Sequence, residues 1–234
     1  MRTLPSDGSK AAFVEAMFDR ISPRYDLMNR LMTFGMDRVW RRRAIEALGL
    51  KPGAAMLDLA CGTGDLANEA IARVAFVVGL DFSDGMLREA RRRNIGCALV
   101  RGDALALPLA RASCDAIVTG FALRNFTDLA RVFLECARVL KPGGRIALLE
   151  VDSPRNALLR VVYRVYFHAL LPLLGRLIAD RRAYSYLSSS VVYLPCESSL
   201  FEILQTAGFE NLRKQRLLHG AVQLISGRRA ADQG

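Results

Sequence analysis

The chain has 234 residues and a formal net charge of +10, because 33 lysines and arginines stand against 23 aspartates and glutamates. Its length predicts one domain with an insertion, and its 52% of hydrophobic residues exclude a disordered chain. The positive excess is nearly all arginine. It is compatible with a nucleic-acid partner, an anionic membrane surface or a solvated coat, and composition alone does not choose among them.

Cysteine and histidine usage argues against disulfides and metals. The five cysteines are odd in number and show no C-x-x-C spacing, and only two histidines are present. Neither a disulfide framework nor a metal site is therefore predicted. The N-terminus has no apolar stretch of signal-peptide length, and the longest apolar region, residues 157–179, is interrupted by arginines and a proline. We therefore expect a cytoplasmic protein.

Apolar and helical patterns divide the chain into four parts. Residues 13–48 predict an N-terminal helical arm, and residues 51–151 alternate short apolar runs with helical stretches, as in a parallel sheet with crossover helices. Residues 156–190 are an arginine-studded apolar insertion, and residues 199–227 predict a helix and a closing antiparallel hairpin. The whole, residues 1–234, is predicted as a single α/β domain. Its first five strands are predicted at residues 55–59, 76–80, 97–100, 115–119 and 145–150.

The strongest local signal is a glycine-rich turn between the first strand and the helix that follows it. Asp58 lies in the strand, and Gly62, Thr63 and Gly64 form the turn. A strand, glycine turn and helix in this order present backbone N–H groups to a ligand, and the glycines let the backbone approach that ligand closely. A single G-x-G pair is weak evidence when it stands alone.

Two acids follow the next two predicted strands. Asp81 ends the second strand, 17 residues after Gly64, where a carboxylate can accept both hydroxyls of a ribose. Asp103 follows the third strand at the same edge of the sheet. Alternatively, both acids are helix-cap or turn residues, although the agreement of three positions in order and spacing favours a cofactor site.

This combination resembles the class I S-adenosylmethionine-dependent methyltransferases. The resemblance implies a Rossmann-like fold with a seven-stranded, mostly parallel sheet and an antiparallel edge strand, and S-adenosylmethionine as the cofactor. It also implies which residues bind that cofactor, and these are Asp58, Gly62, Thr63, Gly64, Asp81, Met86, Asp103, Ala104 and Gly120.

Motifs outside the cofactor loop narrow the resemblance to the ubiquinone/menaquinone biosynthesis C-methyltransferase family. They lie at residues 17–21, 25–29, 40–42, 121–125 and 138–145, and the similarity extends from about residue 17 to residue 227. The resemblance implies methylation of a ring carbon of demethylmenaquinol or a related polyprenyl quinol. No nucleic acid is then involved, and a homodimer is left open.

Such a reaction needs a ring carbon activated by a phenolate and held in line with the methyl donor. We expect Arg124 to supply a cation beside the ring oxygen; alternatively, it forms an ion pair with Asp128. Asn125 is expected to orient a water or a ring oxygen, and Tyr25 and Asp26 to close over the site. For this last pair, packing and capping are nearly as well supported. Tyr184 is expected to line the site from the opposite side.

The sequence departs from the family pattern on the acceptor side. The departures are at Asp37, Gly120, Asp152 and residues 182–187 and 223–225. They keep open a small-molecule C- or O-methyltransferase for another phenolic or polyketide acceptor, and also a non-enzymatic relative. A nucleic-acid methyltransferase is less well supported, because the Asn/Asp-Pro-Pro-aromatic motif of such enzymes is absent from residues 119–124.

The insertion at residues 156–190 is predicted to be a helical lid. Apolar residues share one helical face, with Arg160 and Arg164 on another. We interpret it as an apolar, arginine-bordered entrance for an isoprenoid tail, in transient peripheral contact with the inner face of the membrane.

Overall fold

The computed structural model describes residues 7–71, 73, 76–154, 156, 160, 186 and 189–231. Seven strands form one sheet in the order β3-β2-β1-β4-β5-β7-β6. The first five strands are parallel, and β7 runs antiparallel to both of its neighbours. The strands are β1 (Ala55–Leu59), β2 (Phe76–Asp81), β3 (Ala98–Arg101), β4 (Cys114–Gly120), β5 (Leu140–Val151), β6 (Phe209–Leu217) and β7 (Val222–Arg229).

The described helices cover both faces of this sheet and one of its edges. Three belong to the N-terminal arm, three connect consecutive strands, and one precedes the C-terminal hairpin. They are α1 (Asp7–Ile21), α2 (Tyr25–Thr33), α3 (Asp37–Leu48), α4 (Asp65–Ile71), α5 (Asp84–Arg92), α6 (Leu129–Val139) and α7 (Glu197–Thr206).

The predicted α/β fold and its closing hairpin are confirmed. Within the hairpin, β6 is the outermost strand and β7 is the antiparallel strand that joins it to β5. Strand β5 begins earlier than predicted, because Leu140 already pairs with Cys114. Residues 141–144 then form the predicted turn as a bulge, and pairing resumes between Arg145 and Ala116. The helical arm also begins earlier, at Asp7.

Alternating side chains of the central strands fill two cores. Leu57 and Leu59 of β1 point to the face covered by α6, where Phe133 is buried. Met56 points to the opposite face, where Trp40 of α3 and Ala67 of α4 are buried. Since successive strand residues point to opposite faces, a strand buried on both sides must be apolar throughout, which explains the short apolar runs of the sequence.

Helix α1 of the arm is docked on α5 at the carboxyl edge of the sheet. Asp19 Oδ1 accepts hydrogen bonds from Ser83 Oγ at 2.6 Å and from the backbone N–H of Gly85 at 2.8 Å. A Cβ at Gly85 would lie 2.7 Å from the Cα of Asp19. Glycine therefore permits the close approach that brings the arm over the ends of the strands.

Most of the predicted lid, including Tyr184, lies outside the described residues. Of residues 156–190, the structure describes 156, 160, 186, 189 and 190. Among the helices that the structure describes, none is long and apolar enough to cross a membrane.

Asp58 is a completely buried acid in the middle of the fold. Its Oδ2 accepts a hydrogen bond of 2.9 Å from the backbone N–H of Ala67 in α4, and its Oδ1 has no hydrogen-bond partner in the described structure. Burial raises the pKa of Asp58 to about 8, and the neighbouring carboxylate of Asp81 adds to the rise. At neutral pH the folded protein therefore holds a proton on Asp58 that the unfolded chain releases.

We predict that Asp58→Asn is more stable than the wild type at pH 7, by more than about 1 kcal/mol. Wild-type stability falls as pH rises from about 4 to about 8, because the unfolded chain releases the Asp58 proton at a lower pH than the folded protein does. The amide keeps the acceptor for Ala67 and cannot ionise. Urea denaturation at pH 5 and pH 7 measures the difference, which should shrink at pH 5. Asp84→Asn, at an exposed acid of α5, is the control. A wild type as stable as the variant at pH 7 would contradict a raised pKa at Asp58.

Candidate active site

A cavity lies at the carboxyl edge of the sheet, beneath the N-terminal arm. The ends of β1, β2 and β4, the loop after β3 and helix α1 all contribute to its wall. Most of the cofactor residues predicted from the sequence line it together with two of the predicted catalytic residues. The lining includes Val14, Phe18, Tyr25, Ala60, Gly62, Asp81, Phe82, Met86, Asp103, Ala104, Gly120, Phe121, Ala122 and Asn125.

Asp81 fixes the glycine turn to the end of β2. Its Oδ2 accepts a hydrogen bond of 2.7 Å from the backbone N–H of Gly62, and its Oδ1 accepts one of 2.8 Å from Ser83. Burial raises the pKa of Asp81 to about 6, although these hydrogen bonds oppose the rise. Each carboxylate oxygen has two lone pairs, so both oxygens can also accept from a ligand in the cavity.

Strands β1 and β4, which are neighbours in the middle of the sheet, are each followed directly by a residue with left-handed backbone that is not glycine. Ala60 follows β1 with φ of 56°, and Phe121 follows β4 with φ of 59°. Both line the cavity. Left-handed alanine and phenylalanine cost energy, and such residues concentrate at functional sites. The sequence gives no signal for either, because left-handed backbone is usually marked by glycine or asparagine.

The remaining predicted cofactor residues of the cavity form its apolar and acidic parts. Met86 and Ala104 are buried and apolar. Asp103 is exposed, and its Oδ1 accepts a hydrogen bond of 2.9 Å from Leu105. Gly120 ends β4, and a Cβ there would lie 2.9 Å from Leu66 Cδ1.

Three predicted cofactor residues support the cavity wall from behind. Asp58 contacts α4, as described above. Gly64 has φ of +86°, and a Cβ there would lie 2.0 Å from Ile95 Cδ1, so glycine is required for packing. Thr63 is buried, and its Oγ1 donates a hydrogen bond of 2.6 Å to Asp26 Oδ1.

Asp26 joins the arm to the glycine turn and does not line the cavity in the described structure. Its Oδ2 pairs with Arg93 Nη1 at 3.0 Å, and Arg93 also binds the carbonyl of Thr63 and, at 2.6 Å, Asp65. Arg41 of α3 pairs with the same Asp65 at 2.6 Å. This network of alternating charges fastens α2 and α3 to the cofactor half of the site, so the packing interpretation of Asp26 fits its contacts.

Arg124 is buried and forms an ion pair with Glu150, the penultimate residue of β5. The alternative interpretation of Arg124 as an ion-pair residue is thus borne out, but its partner is Glu150 and not Asp128. Asp128 caps α6, and its Oδ1 accepts a hydrogen bond of 2.9 Å from Arg131 N. Glu150 Oε1 also accepts a hydrogen bond of 2.9 Å from the backbone N–H of Val151. Glu150 could not be recognised as a site residue from sequence, because it lies at the end of an apolar strand and its partner is 26 residues away.

The Arg124–Glu150 pair keeps unused hydrogen-bonding capacity. Arg124 Nε and Glu150 Oε2 are buried and have no hydrogen-bond partner in the part of the chain that the structure describes. Buried polar atoms without partners are uncommon and costly, so they call for an explanation. A polar ligand group beside the pair would supply one.

Two tyrosine hydroxyls lie within reach of the Arg124 charge. Burial raises the pKa of Tyr25, and the charge of Arg124 opposes the rise. Burial also raises the pKa of Tyr186 to about 12, and the charge of Arg124 again opposes the rise. The Tyr186 hydroxyl donates a hydrogen bond of 3.4 Å to Asn125 Oδ1, which lines the cavity. Tyr186, two residues after the predicted Tyr184, therefore belongs to the candidate acceptor side.

Nothing in the described ranges brings three His, Cys, Asp or Glu side chains together as metal ligands. The wall of the cavity thus has a glycine turn and two acids on one side, and Tyr25 and Asn125 on the other. The buried Arg124–Glu150 pair and Tyr186 are not among the lining residues; Arg124 adjoins Asn125 in the chain, and Tyr186 donates to it.

Solved structures share the fold at low sequence identity. An S-adenosylmethionine-dependent methyltransferase from Thermotoga maritima is 20% identical, with a TM-score of 0.64 over 92% of this chain and 99% of that chain. The [4+2]-cyclase SpnF is 18% identical, with a TM-score of 0.66 over 93% of this chain and 95% of its own. Because the same fold supports different reactions, these structures establish the architecture only.

Sequence relatives are closer. A demethylmenaquinone methyltransferase from Desulfitobacterium hafniense is 38% identical over 96% of this chain and 92% of the relative. The ubiquinone/menaquinone biosynthesis C-methyltransferase UbiE of Syntrophotalea carbinolica is 42% identical over 92% of this chain and 93% of the relative. A demethylmenaquinone methyltransferase from Thermus thermophilus is 43% identical over 91% and 100%. The model of the ubiE/COQ5 methyltransferase family matches residues 6–229. The chain therefore belongs to the ubiE/COQ5 methyltransferase family.

Proposed function

We propose that this protein transfers a methyl group from S-adenosylmethionine to a ring carbon of demethylmenaquinol or a related polyprenyl quinol. The relatives named above carry this activity in their names. The observation that supports it most directly is the single cavity that joins Gly62 and Asp81 to Tyr25 and Asn125. A methyl donor and an acceptor ring must lie side by side, and this cavity has suitable groups for each.

The cofactor half of the cavity fits S-adenosylmethionine. Gly62, with φ of +56°, brings the backbone close to the ligand where a side chain would intrude. Asp81 would hold the ribose hydroxyls, and Asp103 the adenine amino group. Met86 and Ala104 would pack against the adenine ring. When bound, the cofactor supplies a sulfonium-activated methyl group that is already electrophilic.

The acceptor half has the groups that a phenolate needs. A ring carbon becomes nucleophilic when the adjacent hydroxyl is deprotonated. Arg124 has a buried donor, Nε, that no described residue accepts, and Glu150 holds the guanidinium in place from one side. A phenolate oxygen at that donor would be stabilised by a charge-assisted hydrogen bond.

Tyr25, Tyr186 and Asn125 would position the ring. Since burial raises the pKa of both tyrosines, their hydroxyls are protonated at neutral pH and can donate hydrogen bonds. Asn125 Oδ1 already accepts from Tyr186, which fixes the amide at the cavity wall. Alignment of the ring carbon with the methyl group is the main catalytic task, because the donor is already activated.

The acceptor is a membrane lipid under this proposal, so the protein would act at the membrane face from the cytoplasm and contact the bilayer only transiently. The acceptor-side departures keep another phenolic acceptor in view, for C- or O-methylation. Glu150 and Arg124 suit any phenol, whereas a polyprenyl tail requires access from a lipid surface.

We predict that Asp81→Asn weakens S-adenosylmethionine binding about 10- to 100-fold at pH 7. An amide cannot accept at both positions, so it sets an N–H group against either Gly62 or Ser83 or the ribose. Since burial raises the pKa of Asp81 to about 6, wild-type affinity should rise as pH increases through 6, whereas the variant should lose this dependence. Calorimetric titration measures both effects, with Asp84→Asn as the control. Equal affinities, or the same pH dependence in the variant, would remove Asp81 from the ribose site.

We predict that Arg124→Leu combined with Glu150→Leu loses turnover by about 100-fold or more while cofactor affinity is kept. Replacing both partners of a buried ion pair with apolar residues is often neutral for stability, whereas removing one leaves an unpaired charge. The double variant should therefore fold. Initial rates with a tail-less, water-soluble quinol analogue and urea denaturation test this expectation.

The control for the paired variant is Arg92→Gln with Glu89→Gln, a pair on α5 joined at 2.7 Å, in which the arginine is exposed and the glutamate half-buried. Its turnover should equal that of the wild type. A folded Arg124→Leu, Glu150→Leu variant with wild-type turnover would show that the buried pair has a structural role only.

A further inference from the structure

The face formed by α2, α3 and the turn between them exposes large apolar side chains. Leu27 and Leu31, one helical turn apart on α2, are 53% and 42% exposed. Phe34, just after α2, is 76% exposed, and Val39 of α3 is 54% exposed. We call this surface the α2–α3 face. Large apolar side chains grouped on one surface, rather than scattered singly, mark an interaction site.

The turn carrying Phe34 projects from the body of the protein. Phe34 is left-handed with φ of 51°, and Gly35 follows with φ of 74°. A Cβ at Gly35 would meet nothing within 4 Å. Helix α2 is held from its other side by Met28, which is completely buried, so its exposed apolar side chains point outward.

The exposed charged residues of α2 and α3 up to residue 43 are all arginines. Between residues 20 and 43, every one of which the structure describes, the exposed charged residues are Arg20, Arg24, Arg30, Arg38, Arg42 and Arg43. The first two precede α2, and Arg42 pairs with Glu69 of α4 at 3.4 Å. The acids of α2 and α3 in this stretch are turned inward: Asp26 of α2 contacts Thr63 and Arg93, and Asp37 of α3 is buried against Arg41. The face therefore combines apolar groups with a basic border.

We propose that the α2–α3 face binds the headgroup region of an anionic phospholipid bilayer. Apolar side chains that insert at the acyl boundary, flanked by arginines that meet anionic headgroups, are the features of an interfacial helix. A second copy of this chain would oppose arginine to arginine across the same face, so the charge favours lipid over self-association.

This inference rests on the proposed function, because a polyprenyl quinol resides in the bilayer. Helix α2 begins at Tyr25, which lines the cavity, and its length of about 13 Å separates that residue from the exposed turn. A bilayer on the α2–α3 face would thus lie beside the site where the quinol ring is proposed to bind. This face differs from residues 156–190, on which the sequence alone predicts membrane contact.

The test is flotation of the full chain with vesicles of phosphatidylcholine alone and of phosphatidylcholine mixed equally with phosphatidylglycerol. We expect binding to the anionic vesicles only, weakened by salt. Phe34→Asn should reduce that binding about tenfold, since asparagine tolerates the left-handed backbone but does not insert. Arg38→Glu should reduce it at least about fivefold.

Two variants at the opposite edge of the sheet are matched controls. Phe76→Asn changes a phenylalanine that is 55% exposed at the start of β2, and Arg111→Glu changes an exposed arginine before β4. Both should bind vesicles like the wild type. Cofactor affinity and the thermal midpoint of unfolding should be unchanged in Phe34→Asn and Arg38→Glu. This result would show that both variants are folded.

Three results would overturn the inference: no binding of the wild type to anionic vesicles, wild-type binding by both α2–α3 variants, or a lipid-free dimer that Phe34→Asn dissociates. Failure of the proposed function is distinguishable, because turnover of a water-soluble quinol analogue does not depend on vesicles. Turnover without vesicle binding contradicts this inference alone. Vesicle binding without methyl transfer to any quinol contradicts the proposed function alone.

Discussion

The reversal of strand order between β1 and β4 is the constraint on which the site depends. From β1 the chain proceeds outward to β2 and β3, then returns to β4 and proceeds to β5 on the other side. The loops after β1 and β4 therefore diverge and leave a crevice at the carboxyl edge, where open α/β sheets bind ligands. The two left-handed residues, Ala60 and Phe121, lie at this point. Their backbone is anchored beside them, by Cys61 N to Leu80 O at 2.9 Å and by Phe121 N to Leu149 O at 2.7 Å.

Charged side chains then assemble the site around that crevice. Asp81 of β2 binds the backbone of Gly62 in the glycine turn, and Asp26 of the arm binds the hydroxyl of Thr63 in the same turn. Arg93 donates to both Asp26 and the carbonyl of Thr63. Of the two carboxylates, Asp81 also lines the cavity, whereas Asp26 is engaged by Thr63 and Arg93. A substitution at Asp81 would therefore change the shape of the glycine turn as well as the cavity wall.

That most of the proposed cofactor residues meet in one cavity could be predicted from sequence, because the signals are local and the glycines are conspicuous. Gly62, Asp81 and Met86 each follow a recognisable strand or turn, and the parallel sheet brings their positions to one edge. Glu150, Ala60 and Phe121 could not be predicted in this way. Glu150 of β5 contacts Arg124 in the turn after β4, which the sequence spacing does not reveal, and the strain at Ala60 and Phe121 arises from loop geometry that residue type does not signal. Asp26 was identified as a site residue, but its contact with Thr63, 37 residues away, required the fold.

The charge surplus of the chain likewise resolves into separate roles. Arg124 is buried near the proposed acceptor side, Arg41 and Arg93 join the arm to the core, and the arginines of the α2–α3 face lie on the surface.

Methyl transfer to a ring carbon is measured most directly with purified protein, reduced demethylmenaquinone and S-adenosylmethionine that carries an isotopically labelled methyl group. After reoxidation, we expect mass spectrometry and NMR to find the label as a methyl group on a quinone ring carbon. A label on oxygen, as a methyl ether, or no label in the quinone, would contradict the claim.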